Sequence, residues 1–278
     1  MSLRVAFQGE LGAFSEEAAE RFFGPIDPLP CRDLAATFRA VTQGEAAAAM
    51  VPVENSYAGS IHEAYDRLLE HRLPVVGELT LPVRHCLLAL PGTRLDAIRQ
   101  VFSHPQALAQ CERYLRRLGV TAVAVYDTAG SARQVAGERD PTHAAIAGAR
   151  AGDRYGLVAL ARDIQDSADN ATRFYALASP GTAPPAPGAW NRTVVVLALP
   201  AADRPGTLVR ALAAFADHGV NLLKLESRPS RRDPWQYTFH LELEAHAAEP
   251  ACAAALEELR SWASMVHVAG SFPGERPG

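Results

Sequence analysis

With 278 residues, 48% hydrophobic and 21% charged, the chain has the balance of a globular protein, which excludes a disordered or fibrous one and leaves room for one large domain or two smaller ones. Its 27 Lys and Arg against 31 Asp and Glu give a net charge of −4, so no global basic field draws it to nucleic acid, and no apolar run approaches the roughly 20 residues that a membrane helix needs. The start runs straight into a strand-like segment with no signal-peptide core, and Cys31, Cys86, Cys111 and Cys252 are too widely spaced for a zinc site, so a cytoplasmic protein with reduced thiols is expected.

In chain order, Arg4–Gln8 reads as a short strand, followed by a glycine turn and a helix from about Ser15, with Ser15 as N-cap. Ala48–Val53 reads as another strand. A helix from about Ser60 then carries Ile61, Ala64, Tyr65, Leu68 and Leu69 on one face, with Ser60 and Glu63 as a capping box. Val83–Leu90, Val101-Phe102, Thr121–Tyr126 and Ala144–Ala147 are further strands, and helices start near Pro105 and Thr128. Gly148, Gly152 and Gly156 read as turns and helix ends. This alternation predicts an α/β fold, and ligands of such folds sit where strand ends meet helix starts.

Ser179–Trp190, with four prolines and two glycines, reads as a linker over 179–190 between residues 1–178 and a second domain over 191–271. The second domain reads as strand Thr193–Leu199, helix Pro205–His218 with Gly219 just past its end, strands Val220–Arg228 and Trp235–Glu244, helix Glu249–Ala263 and strand Met265–Gly270. That order is βαββαβ, the ferredoxin-like arrangement. Two helices on one face leave the other face or an edge free, so pairing with a second copy is expected.

Polar clusters mark the strand-to-helix turns. The first, Gln8-Gly9-Glu10-Leu11-Gly12-Ala13-Phe14-Ser15, combines two glycines with the free N–H groups of a helix start. In the second, Glu54 is an acid or an orienting acceptor, and Asn55 offers both donor and acceptor. In the third, Gln106 and Gln110 are four apart on one helix face, with Ser103 at its mouth and His104 either an acid–base group or a structural cap. In the fourth, Thr172 supplies a hydroxyl, Arg173 a guanidinium fork for a carboxylate and Phe174 an aromatic wall, a set suited to a small anionic cyclic substrate. There is no GxSxG elbow, no Walker A loop and no GxGxxG after the first strand, which argues against hydrolase, NTPase and dehydrogenase readings.

Thr172-Arg173-Phe174, Pro52-Val53-Glu54-Asn55 with Gly59, Ser103-His104-Pro105-Gln106 with Gln110-Cys111, and Glu226-Ser227-Arg228-Pro229 together resemble the prephenate dehydratase family over nearly the whole chain. The resemblance implies a catalytic domain of two periplasmic-binding-protein-like α/β lobes with the active site in their cleft, and a C-terminal ACT domain. It also implies a homodimer or homotetramer. The implied reaction is the decarboxylative dehydration of prephenate to phenylpyruvate in phenylalanine synthesis, with no metal or organic cofactor. Thr172 is then expected to donate a hydrogen bond to the leaving hydroxyl or to relay a proton to it from a neighbour such as Glu54 or a water. Arg173 is expected to hold the pyruvyl carboxylate, or alternatively to orient its strand by pairing with Glu54 or Asp169. Asn55, Ser103, Gln106, Gln110 and Thr128 act as neutral orienting groups. Phenylalanine, the implied feedback effector, is expected between two ACT domains at Gly206, Thr207, Leu208, Asn221 and Leu222, with Glu226, Ser227, Arg228 and Pro229.

The chain departs from the family pattern twice. Gly12-Ala13-Phe14-Ser15 stands where the family usually has Gly-Thr-Phe-Ser, and Gly206-Thr207-Leu208 where it usually has Gly-Ala-Leu. No chorismate mutase helix domain precedes residue 1, so a monofunctional enzyme is expected. The rival readings are an arogenate dehydratase, performing the same elimination on the amino analogue, and a non-catalytic amino-acid sensor.

Overall fold

Residues 2–200, 204–230 and 236–274 are described by the computed structural model. Contacts divide the chain into two units, Met1–Ile61 with Leu79–Phe174 and His62–Glu78 with Tyr175–Gly278. The proline-rich segment 179–190 forms no helix or strand, yet the division does not follow it alone, because residues 62–78 pack with the C-terminal unit.

The first unit opens with β1 (Leu3–Gln8), α1 (Phe14–Phe23), β2 (Ile26–Cys31), α2 (Leu34–Thr42), β3 (Ala48–Asn55) and β4 (Gly59–Ser60). β1 lies between β2 and β3 and pairs parallel with both. β2 went unread in the sequence because it carries Pro28 and Pro30. It is an edge strand, where a missing N–H costs no ladder bond. Pro52 is tolerated in β3 for a related reason, since the ladder with β1 ends at Met50. α1 starts at Phe14 rather than Ser15, with Ala13 as N-cap, and the Gly12 N–H is taken by Glu16 Oε2 at 2.5 Å. Ser60 lies in β4, opposite Glu54, two residues before α3 begins at His62.

The chain then passes through α3 (His62–His71) and β5 (Val75–Pro82) into a second lobe. This lobe comprises β6 (Cys86–Ala89), β7 (Gln100–Ser103), α4 (Pro105–Gln110), α5 (Glu112–Leu118), β8 (Thr121–Ala124), α6 (Thr128–Glu138), β9 (His143–Ala147), α7 (Ala149–Tyr155) and β10 (Val158–Ala161). Its sheet runs β10-β6-β9-β7-β8. Strand alternation splits its apolar residues between two layers, Leu88, Phe102 and Ala145 against α6, and Leu87, Val101 and Ile146 against α4 and α5. β11 (Ala171–Ala178) returns to the first lobe beside β3. Two segments therefore cross between the lobes side by side, tied by Val83 N–H to Asn170 O at 2.8 Å and Ile164 N–H to His85 O at 3.1 Å.

The second unit contains β12 (Asn191–Ala198), α8 (Thr207–Asp217), β13 (Leu222–Pro229), β14 (Tyr237–Leu243), α9 (Pro250–Arg260) and β15 (Met265–Pro273), which is the expected βαββαβ order. The expected strand start at Trp235 lies outside the described residues. The sheet runs β13-β14-β12-β15, with β5 joined through Gly270 and Val75. That approach requires a glycine, because a Cβ at position 270 would stand 2.2 Å from Val75 O.

Phe215, Leu241, Leu256 and Leu259 are buried between the sheet and its two helices. The other sheet face is not left free, as α3 covers part of it: Tyr65 packs edge-on to His240 with ring centroids 5.1 Å apart, and Arg228 Nη2 lies 3.2 Å from Asp66 Oδ2. Arg192 is buried between Glu78, at 3.0 Å, and Glu242, which also accepts from the Tyr175 hydroxyl at 2.7 Å. The irregularity in β13 falls between Leu222 and Lys224, whereas Glu226–Pro229 pair regularly with β14.

Candidate active site

A cavity of about 120 Å³ in the first unit is lined by Phe14, Asn55, Val83, His85, His104, Gln106, Ala107, Gln110, Thr128 and Thr172. Each lobe contributes. β3 ends in Asn55 and β11 carries Thr172 as its second residue, while the starts of α4 and α6 supply Gln106 and Thr128. A larger depression of about 650 Å³ lies outside this cluster, between α5 and residues 161–166, lined by arginines of which Arg113 and Arg116 pair with nearby acids. The smaller cavity is the better candidate because neutral polar groups from distant parts of the chain converge on it.

Asn55 is the hub. Its Oδ1 accepts from Tyr57 N–H at 3.1 Å and Ala58 N–H at 3.0 Å, which fixes the amide's orientation and gives the turn after β3 its shape. The two protons of its Nδ2 are shared among Asn170 Oδ1 at 2.9 Å, Ala171 O at 3.0 Å and Thr172 Oγ1 at 3.1 Å. The Thr172 oxygen thus accepts from protein, leaving its own O–H to point elsewhere. Gln110 is buried. Its Nε2 reaches Asn55 Oδ1 at 3.4 Å and its Oε1 lies 2.9 Å from His85 Nε2.

Other expected residues are placed differently. Ser103 is fully buried and donates to Ile146 O at 2.7 Å, tying its strand to a neighbour rather than lining the cavity. Phe174 is core, and the aromatic wall is Phe14, whose ring lies against Gly148 and edge-on to His85 at 5.7 Å. Arg173 and Glu54 form an ion pair at 2.7 Å outside the cavity lining. That pair leaves both expected roles of Arg173 standing and, by engaging Glu54, makes it a poor proton source. His104 caps α4, its Nδ1 accepting from Gln106 N–H at 3.3 Å.

Two features were missed in the sequence. His85 stands between Arg84 and Cys86 just before β6, and burial lowers its pKa, keeping the ring neutral. Asp127 caps α6 by accepting from Gly130 N–H at 2.5 Å, and burial raises its pKa. The signal for Asp127 was the N-cap spacing before Thr128; His85 had none. Across the cleft mouth, Glu10 accepts from Tyr126 at 2.8 Å and from Arg133 at 2.9 Å, so the first turn engages the second lobe. Among the described residues no group of three or more His, Cys, Asp or Glu is placed to hold a metal.

In the second unit, the loop before α8 is closed by Thr207, whose hydroxyl donates to Arg204 O at 2.7 Å and accepts from Arg204 N–H at 3.1 Å. Gly206 has φ +92 and open space where a Cβ would stand, and Leu208 follows at the start of α8. Asn221 donates to Glu244 at 2.8 Å just before Leu222 opens β13. Glu226 pairs with His62 at 3.2 Å and Arg228 with Asp66, so these two residues face α3; Ser227 and Pro229 alternate with them along the strand.

A family model described as prephenate dehydratase matches residues 5–182, and one described as ACT domain matches 195–261. The chain is 44% identical, over 98% of its length and 73% of the relative's, to arogenate dehydratase/prephenate dehydratase 2 of Arabidopsis thaliana, a chloroplastic protein. A solved prephenate dehydratase from Arthrobacter aurescens, in complex with L-Phe, is 33% identical with a TM-score of 0.88 over 97% of this chain and 89% of that one. Another structure, described as GqqA, a novel type of quorum quenching acylase, is 34% identical with a TM-score of 0.90 over 98% of both chains. The chain belongs to the prephenate dehydratase family and is a dehydratase with a C-terminal ACT domain.

Proposed function

We propose that the chain converts prephenate to phenylpyruvate for phenylalanine synthesis, with phenylalanine as feedback effector, in the cytoplasm and as a homo-oligomer. The observation that carries the catalytic reading is the Thr172 hydroxyl, held by the Asn55 amide at 3.1 Å at the edge of a cavity that no carboxylate or guanidinium lines. In the reaction the ring C–O bond breaks and the bond to the ring carboxylate breaks, its electron pair entering the ring as carbon dioxide leaves. The departing hydroxyl takes up one proton and leaves as water. Aromatisation drives the step, so the barrier lies in leaving-group departure, and a donor at that oxygen contributes most.

Thr172 donates that hydrogen bond, and solvent supplies the proton, since Glu54 is engaged by Arg173. Neutral surroundings suit a carboxylate whose charge drains away, because an ion pair there favours the ground state over the transition state. Arg173 acts on the carboxylate that survives into product.

A lining without a carboxylate also favours prephenate over arogenate. An ammonium group calls for a carboxylate partner, and the lining holds none. The acylase likeness supports no second reading. Acyl hydrolysis needs an activated nucleophile, whereas Ser103 is bonded to a backbone carbonyl and burial pushes the Cys111 thiol up to about 12.

Incubating purified protein with prephenate and with arogenate, and following phenylpyruvate and phenylalanine, tests the assignment. A higher kcat/KM on prephenate is expected. A higher value on arogenate reverses the substrate, and turnover of neither removes the reading.

A further inference from the structure

The hydrogen bonds around Asn55 fix more than Asn55. Two backbone N–H groups, of Tyr57 and Ala58, converge on its Oδ1, and only an oxygen can accept both. Gln110 must then turn its NH₂ toward that oxygen, since the flipped amide would oppose two acceptors. Gln110 Oε1 is left facing His85 Nε2 at 2.9 Å, so the His85 proton resides on Nε2. The other ring nitrogen, Nδ1, is buried without a partner, as a neutral imidazole permits for its bare lone pair.

The backbone of His85 is pinned as firmly as its ring. It lies on one of the two segments that cross between the lobes, with its N–H donating to Gln165 Oε1 at 2.9 Å and its carbonyl accepting from Ile164 N–H at 3.1 Å. The ring therefore spans from the crossing to α4 of the second lobe, and Gln110 spans from there to Asn55 of the first. Asn55 in turn donates to Thr172.

We propose that His85 is a positioning residue for the dehydration: its Nε2–H locks the Gln110 amide and, through Gln110 and Asn55, sets where the Thr172 hydroxyl proton points. This rests on the reading of Thr172 as donor to the leaving group. His85 touches no reacting atom and transfers no proton. Burial disfavours its charged form, so kcat/KM does not follow the ordinary histidine titration.

The test uses the full chain with His85→Gln, His85→Asn and His85→Leu. A glutamine amide reaches about as far as Nε2 and retains a donor to Gln110, whereas asparagine stays polar but is too short and leucine fills the space. The expected result is a kcat lowered about 10- to 100-fold in the Asn and Leu variants with KM within about threefold, and recovery of most of that loss by Gln. In a Gln110→Leu background, His85→Asn then adds less than about threefold, because the residue through which it acts is gone.

Equal rates for the Gln and Asn variants, or an undiminished loss in the Gln110→Leu background, overturn the proposal in favour of plain packing. Should the Leu variant fail to fold, the Gln and Asn pair carries the comparison. Thr172→Ala separates the two levels. Full kcat there removes the reading of the site itself, whereas a collapsed kcat there with an active His85→Asn removes only the role of His85.

Discussion

Arg173 Nη2 meets Glu54 Oε2 at 2.7 Å, joining the first residues of β11 to the last of β3 beside the cavity. The pair holds the planar guanidinium fork in one orientation. Arg173→Lys retains the charge but loses the fork, so KM for prephenate rises about tenfold with kcat within about threefold. Steady-state kinetics decide it: a collapsed kcat at unchanged KM moves Arg173 to the reacting end.

Thr172→Ala removes the hydroxyl that Asn55 holds. Its kcat falls about 10²- to 10⁴-fold, the usual size of a lost proton-transfer or donor contribution, while Thr172→Ser keeps much of the rate. Rapid-quench measurement of phenylpyruvate formation separates this loss from slow product release.

His240 is buried against Tyr65, and burial holds its pKa down to about 4 from an ordinary 6.5. As pH falls below 6.5 the unfolded chain binds a proton there that the folded chain refuses until about pH 4. Stability is therefore lost on acidification across that window, by up to about 3 kcal/mol from this group. His85 and His267, also held low by burial, act with the same sign. Urea unfolding at a series of pH values should show a shallower acid slope in His240→Gln; an unchanged slope would assign the effect to other groups.

The Arg228–Asp66 pair joins the regulatory strand to α3, the helix that follows β3 and β4 in the chain. Asp66→Asn is expected to raise the phenylalanine concentration for half inhibition at least fivefold, within the range of allosteric coupling energies, with uninhibited kcat inside twofold. Calorimetry on the same variant shows whether the effector still binds. Asn221→Ala, in contrast, is expected to weaken binding itself. Inhibition unchanged in Asp66→Asn would leave the pair a structural tie alone.

The amino-acid sequence alone determined the two α/β lobes, the βαββαβ order of the second unit and the polar turns, because strand and helix periods, caps and turn residues are local. It also carried Asn55, Gln106, Gln110, Thr128 and Thr172 as cleft groups, since each sits at a strand end or helix start. Only the tertiary structure decided what these side chains do to one another. Ser103 and Phe174 stand in the same kinds of turn and strand as their neighbours, yet one hydroxyl is consumed by Ile146 O and one ring by the core. β2 and the covering of the ACT sheet by α3 were invisible for the same reason. An edge position excuses Pro28 and Pro30, and the partners of Asp66 and Tyr65 lie more than 150 residues away along the chain. His85 shows the limit most plainly: its proton is assigned by two backbone N–H groups acting through Asn55 and Gln110, a chain of hydrogen bonds that no local pattern encodes.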